Sequence, residues 1–127
     1  MRKLVWLERL ECLAIHDMML AQHGGLAGVR DMALLESALA KPQNRAAYGA
    51  PTLAEVAASY AQGIIGNHPF VDGNKRTGFM MAAVFLEKNG ASLTASEESV
   101  VEKTVALAAG ELTEAGYAEW LENNSKG

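Results

Sequence analysis

Apolar positions recur along the chain at helical spacing, and short clusters of Gly, Pro and Asn interrupt them. "VWLERLECLAIHDMMLAQHGG" carries Leu10, Leu13, Ala14 and Asp17 at that spacing and stops at Gly24-Gly25. Asp31 is placed to cap a short second helix, "MALLESALAK", which should end near Pro42 because proline has no amide hydrogen. Thr52 and Glu55 have capping-box spacing and open "LAEVAASYAQGIIGNH". A fourth helix is predicted from Asp72 to Asn89-Gly90. Ser96 caps "EESVVEKTVALAAG", and Thr113 caps "EAGYAEWLENN". No segment alternates with period two, so an all-α fold with essentially no sheet is expected. The last residues, "NNSKG", read as disordered.

The fourth helix differs from the others. "FMMAAVFL", Phe79 to Leu86, is apolar on every face. A helix apolar all round is usually buried all round. A helical bundle packed around this helix is therefore expected, with its N-terminus fixed in the middle of the fold.

Length and charge narrow the reading. The 127 residues suit one domain covering 1–127. The net charge of −4 argues against direct DNA binding and against a basic membrane-binding face. The longest uncharged run, Val56 to Val71, is too short and too polar to span a bilayer. Glu8 and Glu11 interrupt the apolar N-terminal stretch, so no signal peptide is expected. The one cysteine, Cys12, falls in a helical apolar pattern and reads as a buried structural thiol. A reducing cytoplasm is the expected location.

The unusual chemistry lies in "HPFVDGNKRTG", His68 to Gly78. The first amides of a helix have no intrahelical partner, and such an end attracts phosphate. Gly73 lets an anion approach the backbone, Asn74 offers a neutral donor, and Lys75 and Arg76 offer positive charge. Asp72 would repel a bare phosphate, but makes sense if Mg²⁺ bridges it to the phosphates. Histidine is the residue type best suited to taking a proton from a hydroxyl near neutral pH, and His68 lies just upstream of the helix start. Phe70 is expected to point inward and anchor the loop. Taken singly, these residues have plainer readings as a loop histidine, a helix cap and solvated cations; the joint spacing carries the case. A Walker loop is rejected, because Asn74 separates Gly73 from Lys75, Arg76 separates Lys75 from Thr77, and no strand precedes. Zinc is a poor fit, since His16, His23 and His68 lack paired ligand spacing. His16 and His23 lie seven residues apart and read as ordinary surface or core histidines.

The same stretch resembles the signature of the Fic/Doc proteins, His-x-Phe-x-Asp/Glu-Gly/Ala-Asn-Gly/Lys-Arg. His68, Phe70, Asp72, Gly73, Asn74, Lys75 and Arg76 all fit it. Fic-type adenylyltransferases usually have Gly after the Asn and a second Arg three residues after the first. Lys75 and Phe79 stand in those places here, as in the Doc ("death on curing") branch. "GGLAGVRDMALLESALAKPQ", "LAEVAASYAQGIIGNHPF" and "AAVFLEKNGASL" also look Doc-like. The resemblance implies an all-helical fold and the toxin of a toxin–antitoxin pair. It implies a kinase that passes the γ-phosphate of ATP to a threonine of elongation factor Tu and arrests translation. His68 would be the general base and Asp72 the Mg²⁺ ligand. Gly73, Asn74, Lys75 and Arg76 would hold the phosphates. A separate antitoxin with a disordered tail would control it, since Thr94 to Ser99 departs from the self-inhibitory pattern of some Fic proteins at its last position. An adenylyltransferase and a catalytically silent binding module remain alternatives.

Two flanking segments carry weaker expectations. "GGLAGVRD" reads as a glycine-rich connector in which Arg30 and Asp31 fix a turn and a cap. "KPQNRAAYGA" resembles the target-aligning flap of Fic proteins, with Pro42, Gly49 and Pro51 suited to a mobile loop; a plain linker is the equal alternative.

Overall fold

A computed structural model of the protein describes residues 3–127. Its elements are α1 (Arg9–His23), α2 (Met32–Ala47), α3 (Leu53–Asn67), α4 (Asn74–Lys88), β1 (Ser92–Leu93), α5 (Glu97–Ala108), α6 (Glu114–Asn123) and β2 (Ser125–Lys126). The capping residues predicted from sequence do their work. Asp31 accepts from Leu34 N, Ser96 from Ser99 N and Thr113 from Gly116 N, and Thr52 and Glu55 form a reciprocal box. No described helix is long and apolar enough to cross a membrane.

The middle of the bundle is α3, not α4 as its apolar sequence suggested. Val56, Ala57, Ala58, Tyr60, Ala61 and Ile64 of α3 are almost wholly inaccessible, and α2, α4 and α6 all pack on it. Small residues let those neighbours approach. Helix α4 buries Met81, Ala82, Phe85 and Leu86, but leaves Phe79, Met80 and Ala83 half-buried on another face. That face lines a cleft, which is why an all-apolar helix is not covered all round.

Helix α2 does not stop at Pro42; it continues to Ala47. Proline removes one helical hydrogen bond, the one that would reach the carbonyl of Ala38. Gly63 of α3 presses against that carbonyl: a Cβ at Gly63 would lie 2.9 Å from Ala38 O. Packing therefore carries the helix past its breaker. Residues 41–47 are thus helical and form neither a mobile flap nor a plain linker, while Tyr48 to Ala50 lie beyond the helix. Lys41 and Arg45 also pair with Glu114 and Glu55 at 2.7 and 3.1 Å.

Helix α1 begins at Arg9, later than its apolar pattern implied, with Glu8 and Glu11 forming its capping box. The preceding residues run extended across the bundle. Asn89 exchanges two hydrogen bonds with Val5, and the Tyr60 hydroxyl exchanges two with Leu7. Cys12 is fully buried, and burial pushes its thiol up to about 12. At the other end, the tail expected to be disordered forms β2, antiparallel to β1. Both the amide and the hydroxyl of Thr94 donate to Asn124 O, at 2.6 and 2.9 Å. This two-residue pairing is a small correction to the expectation of no sheet.

Candidate active site

The stretch from His68 to Asn74 is a tight link between the C-terminus of α3 and the N-terminus of α4. His68 closes α3 in the left-handed conformation, φ 52°, ψ 53°. It is the one non-glycine residue with positive φ among those described. That conformation costs a non-glycine residue roughly 1–2 kcal/mol and persists only where its surroundings fix it. The His68 side chain is exposed, and its imidazole has no hydrogen bond to any described residue.

Several contacts fix the link. Phe70 is fully buried, as expected, and stacks on the His16 ring with centroids 3.7 Å apart and planes 7° apart. His16 is itself buried, and its Nε2–H donates to the carbonyl of Asp72 at 2.8 Å. Asn74 is buried and takes both backbone groups of Phe70: Phe70 N–H donates to Oδ1 at 3.0 Å and Nδ2 donates to Phe70 O at 2.9 Å. The expected phosphate donor is thus engaged inside the loop, which leaves its backbone N–H for an anion.

The segment Gly24–Asp31 is more than a connector. Val29 forms an antiparallel bridge with Phe70, and Val71 N–H donates to Gly28 O at 3.0 Å. Arg30 Nε donates to His68 O at 2.8 Å, and Arg30 Nη2 to Asn67 O at 3.1 Å. Sequence reasoning missed these contacts, along with that of His16. The partners lie 37 to 56 positions apart in the chain, and no local spacing announces them.

Asp72 does not cap α4; Gly73 occupies that position, at φ 78°, with no side-chain cap. The Asp72 carboxylate instead accepts from Leu26 N at 3.2 Å and Gly73 N at 2.9 Å. The Leu26 amide first and the Gly73 amide second hold its pKa below the usual value, with Arg76 and His16 adding to them. Gly73 therefore spends its N–H on Asp72, contrary to the expected phosphate contact. Its lack of a side chain serves the left-handed turn. The backbone N–H groups of Asn74, Lys75 and Arg76 have no acceptor among the described residues, as the first turn of an uncapped helix must.

Lys75 and Arg76 are exposed and form no ion pair among the described residues. With His68 and Asp72 they line one end of a cleft of about 1090 Å³. Phe79 and Met80 continue its wall along α4, and α5 supplies the opposite wall. The donor set for a cation is one carboxylate, and no group of three His, Cys, Asp or Glu gathers among the described residues. Each Asp72 oxygen accepts one amide hydrogen and keeps lone-pair capacity. That suits Mg²⁺, which often takes one or two carboxylates and completes its shell with phosphates and water, and it does not suit a closed protein cage.

An exposed histidine beside an open helix N-terminus, set in a helical bundle, defines a class, and comparison with known proteins places the chain within it. Residues 6–86 match the model of the Fic/DOC family, and the chain belongs to that family. It is 37% identical over 112 residues to Protein kinase doc of Escherichia phage P1, an alignment covering 87% of this chain and 88% of that protein. It is 45% identical over 75 residues to Toxin Doc of Mycolicibacterium smegmatis, covering 57% of each.

Proposed function

We propose that this protein is the toxin of a toxin–antitoxin pair and transfers the γ-phosphate of ATP to a threonine hydroxyl of a translation factor, with elongation factor Tu the expected acceptor. One observation carries the reading: His68 stands beside an uncapped helix start that bears two cations, and among the described residues its imidazole has no hydrogen-bond partner and the cations have no ion-pair partner. The likeness to a protein kinase doc over most of both chains supports the kinase chemistry, and both relatives' names support a toxin with a cognate antitoxin.

The reaction asks for positioning and charge neutralisation more than for covalent work by the protein. The open N–H groups of Asn74, Lys75 and Arg76 and the cations of Lys75 and Arg76 hold the phosphate oxygens. Arg76 grips two oxygens at once. Asp72 would hold Mg²⁺, which when bound neutralises triphosphate charge. The His68 imidazole takes the threonine proton as the hydroxyl oxygen bonds to the γ-phosphorus. The bond from that phosphorus to the bridging oxygen breaks, and ADP leaves. Phe79, on the cleft wall one turn after Arg76, offers no second guanidinium to hold the outer phosphates away from His68. This favours attack at the γ-phosphorus over transfer of AMP.

Intact-mass spectrometry of elongation factor Tu incubated with the protein, ATP and Mg²⁺ tests the proposal. A gain of one phosphate on a threonine supports it. A gain of AMP moves the protein to the adenylyltransferases, and an unmodified factor removes elongation factor Tu as the acceptor.

A further inference from the structure

We propose that Arg30 is a positioning residue that sets the aim of His68 through the backbone. The imidazole has no hydrogen-bond partner among the described residues, so its place is fixed by the main chain that carries it. Arg30 holds that main chain at three consecutive carbonyls. Its Nη2 and Nε donate to Asn67 O and His68 O, and its own backbone N–H donates to Pro69 O at 2.7 Å. Two further bonds brace the same turn: Asp31 N–H also reaches Pro69 O at 3.1 Å, and Asn67 Nδ2 donates to Leu34 O at 2.9 Å. The guanidinium thus sits where α3 exposes its last carbonyls, and its charge complements that helix end. Its planar fork matches two carbonyls side by side; a lysine would reach one. Without it, the left-handed turn at His68 loses the side-chain donors that its two flanking carbonyls have among the described residues, and the imidazole is free to swing from its line to the acceptor hydroxyl.

The kinetic consequence rests on the proposed phosphate transfer, whereas the structural consequence does not, so two measurements separate them. The first is amide hydrogen exchange on the full chain. In Arg30→Met, the Val71 amide, bonded to Gly28 O across the link, should exchange faster, while amides of Met81 to Phe85 in α4 keep their protection. Unchanged exchange at Val71, or equal acceleration in α4, would overturn the proposal. The second is transfer of label from γ-labelled ATP to elongation factor Tu. Arg30→Met should lower kcat about 10²-fold, the scale of a misplaced reacting group, with the Kd for ATP unchanged. Arg30→Lys should recover part of the rate, and millimolar guanidinium should restore part of it to Arg30→Ala. In a His68→Ala background Arg30→Met should add no further loss, because the two act as one unit. A loss that appears as weaker ATP binding, or that is equally large without His68, would assign Arg30 to general stability and overturn its positioning role. Absence of transfer by the unmodified protein would refute the proposed reaction, and the exchange result would still decide the role of Arg30.

Discussion

Asn74 grips Phe70 from both sides, its Oδ1 accepting the Phe70 amide at 3.0 Å and its Nδ2 donating to the Phe70 carbonyl at 2.9 Å. The pair closes the link between α3 and α4 at its buried side. Removing the amide leaves two buried backbone groups unpaired. Asn74→Ala is therefore expected to destabilise the protein by about 1–3 kcal/mol. Asn74→Asp should cost at least as much at neutral pH, since one carboxylate oxygen would face the Phe70 carbonyl. Urea unfolding of the two variants checks this, and both should lose activity through the displaced loop.

This pair also marks what was legible in the sequence. The grouping of His68, Asp72, Lys75 and Arg76 at one helix start was legible, because a helix start and its flanking loop are local in the chain. So were the caps at Asp31, Thr52, Ser96 and Thr113, each of which acts on an amide three residues on. Contacts that cross the fold were not legible. Asn74 read as an outward donor, Gly73 as an open amide and Asp72 as a cap. Leu26 claims Asp72 from 46 positions away, whereas Phe70 and Asp72 claim the other two groups from within four residues, but only once the left-handed turns at His68 and Gly73 fold the link back on itself. Pro42 read as a stop because local propensity knows nothing of Gly63, and α4 read as the centre because its apolar faces say nothing of the cleft.

Glycine suits the backbone of His68 better than histidine does. His68→Gly relieves the left-handed penalty of roughly 1–2 kcal/mol, and the greater freedom of glycine in the unfolded chain offsets roughly 0.5–1 kcal/mol of that. The variant is expected to be about 0.5–1 kcal/mol more stable than the natural protein, while transfer falls about 10²–10⁴-fold with the loss of the base. Denaturant unfolding beside single-turnover assays would show the two changes in opposite directions. Lost activity with lost stability would contradict the role given to His68.

The close crossing of α2 and α3 depends on Gly63. A Cβ there would meet Ala38 O at 2.9 Å and Ala38 Cα at 3.3 Å, both backbone atoms that cannot turn aside. Gly63→Ala should destabilise by about 1–3 kcal/mol, as overpacking does, even though alanine favours helix. Thermal unfolding checks the sign.

Two carboxylates, Asp72 and the half-buried Glu55, link stability to pH. Asp72 is held below its ordinary value of 3.8, chiefly by the Leu26 and Gly73 amides. Glu55 is held below 4.5, chiefly by the Thr52 amide, with Arg45 and the Thr52 hydroxyl assisting. A carboxylate lowered in the folded state stabilises above its unfolded pKa and loses that contribution as pH falls through the folded value. Stability should thus hold from neutral pH down to about 4.5 and decline below it. The decline should be shallower in Asp72→Asn/Glu55→Gln, whose neutral groups do not titrate. Tm followed from pH 7 to pH 3 in both proteins measures the difference.

Placement of label tests the central claim most directly. Elongation factor Tu incubated with the protein and γ-labelled ATP is expected to become labelled on a threonine, with ADP released, and α-labelled ATP is expected to leave it unlabelled. Label arriving from the α position would contradict the kinase reading and show that the same His68, Asp72 and Arg76 direct attack at the other end of the triphosphate.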